Sequence, residues 1–140
     1  MEKRISSRAI IIDNDQLLTM FRRKIKDGKT EEYYVIPGGG KEGNETLEEN
    51  VTRELKEEFG VDIKILGYLG TKEPEGRIEH YFHCTITNGE PKLGGEELER
   101  MTPENYYEVR KINIKDLDKI SIGAKDKIEM ALNKEYIELK

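Results

Sequence analysis

Glu54, Glu57 and Glu58 stand at positions i, i+3 and i+4 of a stretch with helical periodicity, an arrangement that gathers three carboxylates within about 100° on one helix face. Three like charges so close repel one another. Hard divalent cations such as magnesium, which take oxygen ligands in octahedral geometry, are the usual means of offsetting that repulsion. Arg53 lies four residues before Glu57 and is placed to orient it, while Pro37-Gly38-Gly39-Gly40 upstream can bring backbone carbonyls to the same site. Three consecutive glycines favour neither helix nor strand and permit close backbone approach, so a loop built for backbone contact is expected there. A cation beside a glycine-rich loop points to phosphate chemistry.

The elements that must position these groups are legible in outline. The first half alternates short β-rich runs with turn signals: Ala9 to Ile12, Gln16 to Arg23 and Tyr33 to Ile36, separated by Asn14-Asp15 and Asp27-Gly28. From Thr46 the pattern becomes helical. Thr46 with Glu49 makes a capping box, Leu47, Val51, Leu55 and Phe59 follow at spacing four, and Gly60 supplies the stop. Strands are predicted at Val61 to Leu69, Ile78 to Thr87 and Tyr106 to Ile114, and a last helix from Ala124 to Leu132. Pro91 to Asn105, polar and glycine-containing, reads as a long loop of the kind that often carries function.

Composition bounds the rest. The chain has 140 residues, enough for one core, and a single domain over residues 1–140 is expected. A net charge of -5 argues against a generic nucleic-acid binder, which usually carries a basic face. An acidic protein acting on phosphates needs a cation as intermediary. No stretch approaches the roughly 18 apolar residues of a membrane span and no signal segment opens the chain, so a cytoplasmic location without membrane attachment is expected. The one cysteine, Cys84, cannot form an internal disulfide and agrees with a reducing compartment.

The spacing of the chemical groups is itself distinctive: Gly39, five residues, Glu45, seven residues, then Arg53-Glu54-Leu55-Lys56-Glu57-Glu58-Phe59-Gly60-Val61. This resembles the Nudix box at every defining position. The resemblance implies an α/β fold, the family's α/β/α sandwich with a mixed, largely antiparallel sheet. It implies a hydrolase of phosphoric anhydride bonds that cleaves the diphosphate linkage of a nucleoside diphosphate joined to a group X, using Mg2+, with Mn2+ as an alternative. Residue by residue, it implies that Glu57 and Glu58 ligate the metal and that Glu54 is a further ligand or the base that activates water. It further implies that the Gly38 carbonyl joins the metal shell, with Gly38 and Gly39 beside the substrate. Arg53 would orient a carboxylate, and Glu45 would be structural. Some members keep the base on a later loop, where Glu96, Glu97 and Glu99 are candidates and Glu97 is preferred.

Other residues are weighed against plainer roles. One of Arg22 and Arg23 should face the cleft if their strand is half buried; the family's arrangement favours Arg23 as a phosphate contact, against a pair of surface arginines balancing acidic neighbours. His80, His83 and Cys84 lack a second pair of ligands, and strand alternation sends His83 and Cys84 to opposite faces, so a buried cysteine and partly exposed histidines are expected rather than a zinc site. Tyr33, Tyr34, Tyr81, Tyr106 and Tyr107 are read as packing more than base stacking. Two further hypotheses compete with the hydrolase: a non-catalytic nucleotide-binding or sensing module of the same fold, and an isomerase of diphosphate compounds. The substrate is a small-molecule nucleotide, unspecified among triphosphates, dinucleoside polyphosphates, nucleotide sugars and RNA 5′ ends, and an exposed strand edge offers a route to a homodimer.

Overall fold

The computed structural model describes residues 3–139, apart from the side chain of Glu96. Seven strands form one mixed sheet in the order β3-β2-β1-β6-β5, with β4 added to β1 and β7 to β2. They are β1 (Arg4–Asp13), β2 (Gln16–Lys26), β3 (Lys29–Val35), β4 (Gly38–Gly40), β5 (Asp62–Lys72), β6 (Arg77–Asn88) and β7 (Asn105–Asn113). The helices are α1 (Leu47–Phe59), α2 (Gly95–Arg100) and α3 (Lys125–Leu132).

Local chemistry accounts for the first hairpin. Asn14 and Asp15 both adopt positive φ, 51° and 61°, as a tight two-residue turn requires. Beyond the pairs Ile12–Leu17 and Asp13–Gln16, β1 and β2 part company. β2 continues between β3 and β7, whereas β1 runs parallel to β6 from Arg4–Arg77 to Ile11–Cys84. The place that β2 leaves beside β1 is filled by β4, through Ser6–Gly40, Ser7–Gly39 and Arg8–Gly38. A divided sheet with an open wedge is the result.

Alternation along β1 supplies both faces of the sandwich. Ala9 and Ile11 pack with Val51, Leu55 and Phe59 of α1, and with Phe82 and Cys84. Ile10 points the other way, against Leu69, Tyr81 and the α3 residues Ile128 and Ala131. The layers are therefore helix, sheet, helix, as expected. α1 has the capping box at Thr46–Glu49 and a left-handed cap at Gly60, φ 68°. No helix is long and apolar enough to cross a membrane among the described residues.

Several expectations change. The glycine run is not a loop but the short strand β4, because pairing with β1 satisfies its backbone where side chains cannot contribute. Two of its glycines have no room for a side chain: at Gly38, φ 151°, a Cβ would overlap the Ser7 carbonyl, and at Gly39 it would stand 2.5 Å from the Glu54 carboxyl. The expected loop from Pro91 to Asn105 contains α2, a single short helix hooked to α1 by Gly94 N–H donating to the Glu58 carbonyl, 2.8 Å. β1 starts at Arg4 rather than Ala9, held by β6. His83 is buried rather than partly exposed, since Tyr136 from the C-terminal segment covers it and its hydroxyl meets Nδ1 at 2.8 Å. Cys84 is buried as anticipated, and burial pushes its thiol up to about 12.

Asn50 is fully buried on α1 and donates its side-chain amide to the carbonyls of Gly39, 3.2 Å, and Gly40, 3.1 Å. This fastens β4 to the helix. Asn50→Asp keeps the shape but turns a carboxylate toward two carbonyls, and should cost about 2–4 kcal/mol in urea unfolding at neutral pH; an unchanged midpoint would show that these bonds do not hold the strand.

Burial lowers the imidazoles of both His80 and His83 below their ordinary 6.5, opposed at His80 by Glu73 and reinforced at His83 by Lys134. Each holds its proton less tightly in the fold, so as pH falls through the unfolded value the unfolded chain takes up protons more readily than the folded chain, and stability drops. Relative to a His80→Gln/His83→Gln variant, the wild type should gain stability between about pH 5.5 and 7.5, where a free imidazole titrates. The comparison cancels carboxylates common to both proteins, and parallel stability curves would refute it.

Candidate active site

The divided sheet, α1 and α2 enclose an open cavity of about 940 Å³. α1 contributes Glu54, Glu57 and Glu58, β4 contributes Gly38, Gly39 and Gly40, and α2 contributes Glu97. The helical spacing thus brings the three glutamates to one wall, and the hooked α2 adds a fourth carboxylate from a residue 39 positions after Glu58.

Arg53 organises this wall. Its Nε and Nη2 donate to the two oxygens of Glu45 at 3.0 and 2.8 Å, Nη2 also to the Gly40 carbonyl at 2.9 Å, and Nη1 to Glu54 at 3.0 Å and Glu57 at 3.1 Å. The Arg53 hydrogen bond holds the Glu45 carboxyl down to about 2, and Glu45 in turn raises the guanidinium above its usual range. Glu45 accepts from the Glu42 N–H as well, 2.8 Å. It ties the segment before α1 to the helix.

The remaining carboxyls are crowded. Burial raises Glu54 above the ordinary carboxyl range, opposed by its hydrogen bond with Glu58 and by Arg53. Glu58 is raised further by burial, then by the neighbouring Glu97 and Glu54, both in hydrogen-bonding contact. Glu97 Oε2 is buried without a hydrogen-bond partner. The Glu57 side chain is 57% exposed and freer to turn. Among the described residues no three such groups already converge as a closed cation cage. The set is nevertheless the right chemistry for a hard divalent cation: four oxygen donors, one unsatisfied, next to a backbone that leaves no space for a Cβ at Gly39.

The opposite wall is cationic and aromatic. On β2, Met20, Arg22 and Lys24 face the cavity, so strand alternation turns Arg23 away. Arg23 pairs instead with Glu32 at 2.8 Å and lies over Phe21 and Tyr106, which places it outside the site that it was expected to line. Arg22 lies 4.4 Å from the centre of the Tyr107 ring and 5.7 Å from that of Tyr33, and donates Nη2 to the Tyr107 hydroxyl, 2.8 Å, and to Asn105 Oδ1, 3.2 Å. Its Nε is buried without a partner. Of the tyrosines, Tyr33 and Tyr107 line the cavity, while Tyr34 packs on Phe21. Glu99 is exposed and outside the cavity lining; the Glu96 side chain lies outside the described residues. Asn50, Arg4, Arg8 and Arg77 were not anticipated. An asparagine in mid-helix was the one available signal for Asn50, since its intrinsic helix propensity is low.

Comparison with known proteins identifies the family. The chain matches the NUDIX domain model over residues 2–125. It is 35% identical over 95 residues to an ADP-ribose pyrophosphatase of Methanocaldococcus jannaschii, covering 64% of this chain and 55% of that protein. A Caenorhabditis elegans protein named among the nudix hydrolases is 32% identical over 121 residues, 84% of this chain and 30% of that protein. The chain thus spans about half or less of the length of these relatives. Among solved structures, a NUDIX hydrolase from Nitrosomonas europaea superimposes with a TM-score of 0.72 at 15% identity, covering 99% of this chain and 94% of that one, a likeness of fold. The family's model extends from before β1 to the start of α3, across every strand that frames the cavity, and the chain belongs to the NUDIX domain family.

Proposed function

We propose that the protein is a divalent-metal-dependent pyrophosphohydrolase that cleaves the diphosphate linkage of a nucleoside diphosphate joined to another group. The observation that carries this reading is the meeting of four carboxyls, Glu54, Glu57, Glu58 and Glu97, at one wall of a cavity whose opposite wall presents Arg22, Lys24 and two tyrosine rings. A polyphosphate ester needs both sides: cations or cation ligands for its oxygens, and a flat, positively charged surface for what it carries.

Glu54, Glu57 and Glu58 would hold magnesium or manganese, with the Gly38 carbonyl beside them. Such an ion neutralises charge on the diphosphate oxygens and makes nearby water more acidic. The chain's own groups do the rest. Arg53 would hold Glu54 and steer the more exposed Glu57. Glu97, with one oxygen unsatisfied, would accept the proton released when water attacks phosphorus, Glu54 being the alternative. Arg22 would present its guanidinium to the nucleotide, held by Tyr107 and Asn105 with no carboxylate partner among the described residues. The likeness to the ADP-ribose pyrophosphatase of M. jannaschii makes ADP-ribose one of the substrates to assay.

Glu57→Gln should leave the circular dichroism spectrum unchanged and lower kcat by about 100- to 1000-fold, the usual loss when one charge-stabilising group is removed. Chelation should abolish the wild-type rate, and magnesium should restore it. A fully active Glu57→Gln protein, or a rate indifferent to chelation, would defeat the reading.

Glu97→Gln separates the two candidates for the base. With Glu97 as the base, kcat should fall about 100-fold or more, KM should change little, and the acid limb of the pH–rate profile should flatten. If Glu54→Gln does this and Glu97→Gln does not, the base is Glu54.

A further inference from the structure

A third wall of the cavity is formed where β1 and β6 run parallel. Arg4, Ser6 and Arg8 share one face of β1 and all line the cavity, as does Arg77 of β6. The register sets Arg4 directly beside Arg77, with Ser6 beside Glu79 on the same face. Three arginines therefore share this face with one carboxylate, Glu79. Arg8 takes it: its Nε donates to Glu79 Oε2 at 3.0 Å and its Nη1 to the Ile36 carbonyl at 2.8 Å. Arg77 reaches that same oxygen only at 3.8 Å, and among the described residues no carboxylate pairs with Arg4.

Like charges side by side on neighbouring strands are destabilising. The chain holds 29 acidic residues against 24 basic ones, so carboxylates are not scarce. Arg4 and Arg77 nonetheless line the cavity, both exposed, with only the 3.8 Å contact of Arg77 with Glu79 to offset them among the described residues. Arg4 also sits where it matters: its Nη2 lies 3.5 Å from the point that a Cβ on Gly40 would occupy. Gly40 gives its carbonyl to Arg53, and Gly39 next to it abuts Glu54. Successive strand residues point to opposite faces, so Arg4 on the Gly40 side and Glu54 on the Gly39 side stand across the thickness of one glycine strand. Ser6, buried on the same face, has a hydroxyl without a partner.

We propose that Arg4 and Arg77 form a second anion site, which takes a phosphoryl group beyond the diphosphate being cut. Guanidinium forks match phosphate oxygens in pairs. The preferred substrates are then nucleotides with a further phosphate past the scissile linkage, nucleoside triphosphates or longer chains, over diphosphates that end in a neutral sugar. The inference rests on the reading of this cavity as a diphosphate-cleaving site.

The test compares wild type with Arg4→Gln/Arg77→Gln on a nucleoside triphosphate and on ADP-ribose, and measures binding of inorganic triphosphate by calorimetry without added divalent cation. The expected result is a drop in kcat/KM of roughly 10- to 100-fold on the triphosphate, the size of one or two lost charge-assisted bonds, carried by KM and absent on ADP-ribose. Inorganic triphosphate should lose affinity by a similar factor in the double variant and keep it in Glu57→Gln. Equal losses on both nucleotides, or equal binding of inorganic triphosphate by wild type and double variant, would overturn the site. If wild type hydrolyses neither nucleotide, the pyrophosphohydrolase reading fails, while the binding measurement still decides the anion site by itself.

Discussion

A guanidinium has five N–H donors, and Arg53 uses all of them, on Glu45, Gly40, Glu54 and Glu57. Its partners come from the segment before α1, from β4 and from α1 itself, so one side chain fixes three pieces of backbone relative to one another. The contacts are not equal. The bond to Glu57 is an exposed i,i+4 pair of the kind that contributes about 0.3–0.5 kcal/mol. The two-oxygen contact with Glu45 and the bond to the Gly40 carbonyl are better shielded, and they set where the guanidinium sits. Glu57 is consequently steered rather than locked.

The glycine strand depends on the same arrangement. Its backbone is bound on one side by β1 and on the other by Arg53 and Asn50, and Gly39 admits the Glu54 carboxyl only because it has no side chain. Both choices are locally unfavourable, since glycine weakens a strand and asparagine weakens a helix interior. Conflicts of this kind between local preference and global structure gather at functional positions. Here each has an identifiable compensation in hydrogen bonds across the interface of β4 and α1.

What the sequence made legible was local. The capping box, the four-residue apolar spacing and the Gly60 stop lie within one helix, and the box glutamates inherit their common face from it. What it concealed depended on partners far along the chain. Leu17, Leu18, Thr19, Met20 and Phe21 are all buried, so β2 shows no alternation from which to decide between Arg22 and Arg23. That choice is made by pairing with β7, where Arg22 meets Tyr107. β4 was hidden because glycines have no strand signature; α2 was hidden because six residues are too few for a periodic pattern. The adjacency of Arg4 and Arg77 comes from a parallel pairing that no short-range pattern encodes.

The net charge of -5 is a poor guide to the cavity, because interactions at a site are governed by local arrangement and screening rather than by the sum over the chain. Charge here is sorted by wall. Carboxylates collect on α1 and α2, beside Arg100, and most of the lining cations on β1, β2 and β6. Arg8 and Arg53 have close carboxylate partners, and their work is structural: one braces β1 against β6, the other braces α1 against β4. Arg22 is held by a phenol hydroxyl, an amide and an aromatic face, which orient it without cancelling its charge. A polyanion entering with a divalent cation would meet compensating charge on every side, whereas either alone would face one repulsive wall. On the proposed function, this separation of charge within an acidic chain would make the joint binding of cation and phosphate more favourable than the binding of either by itself.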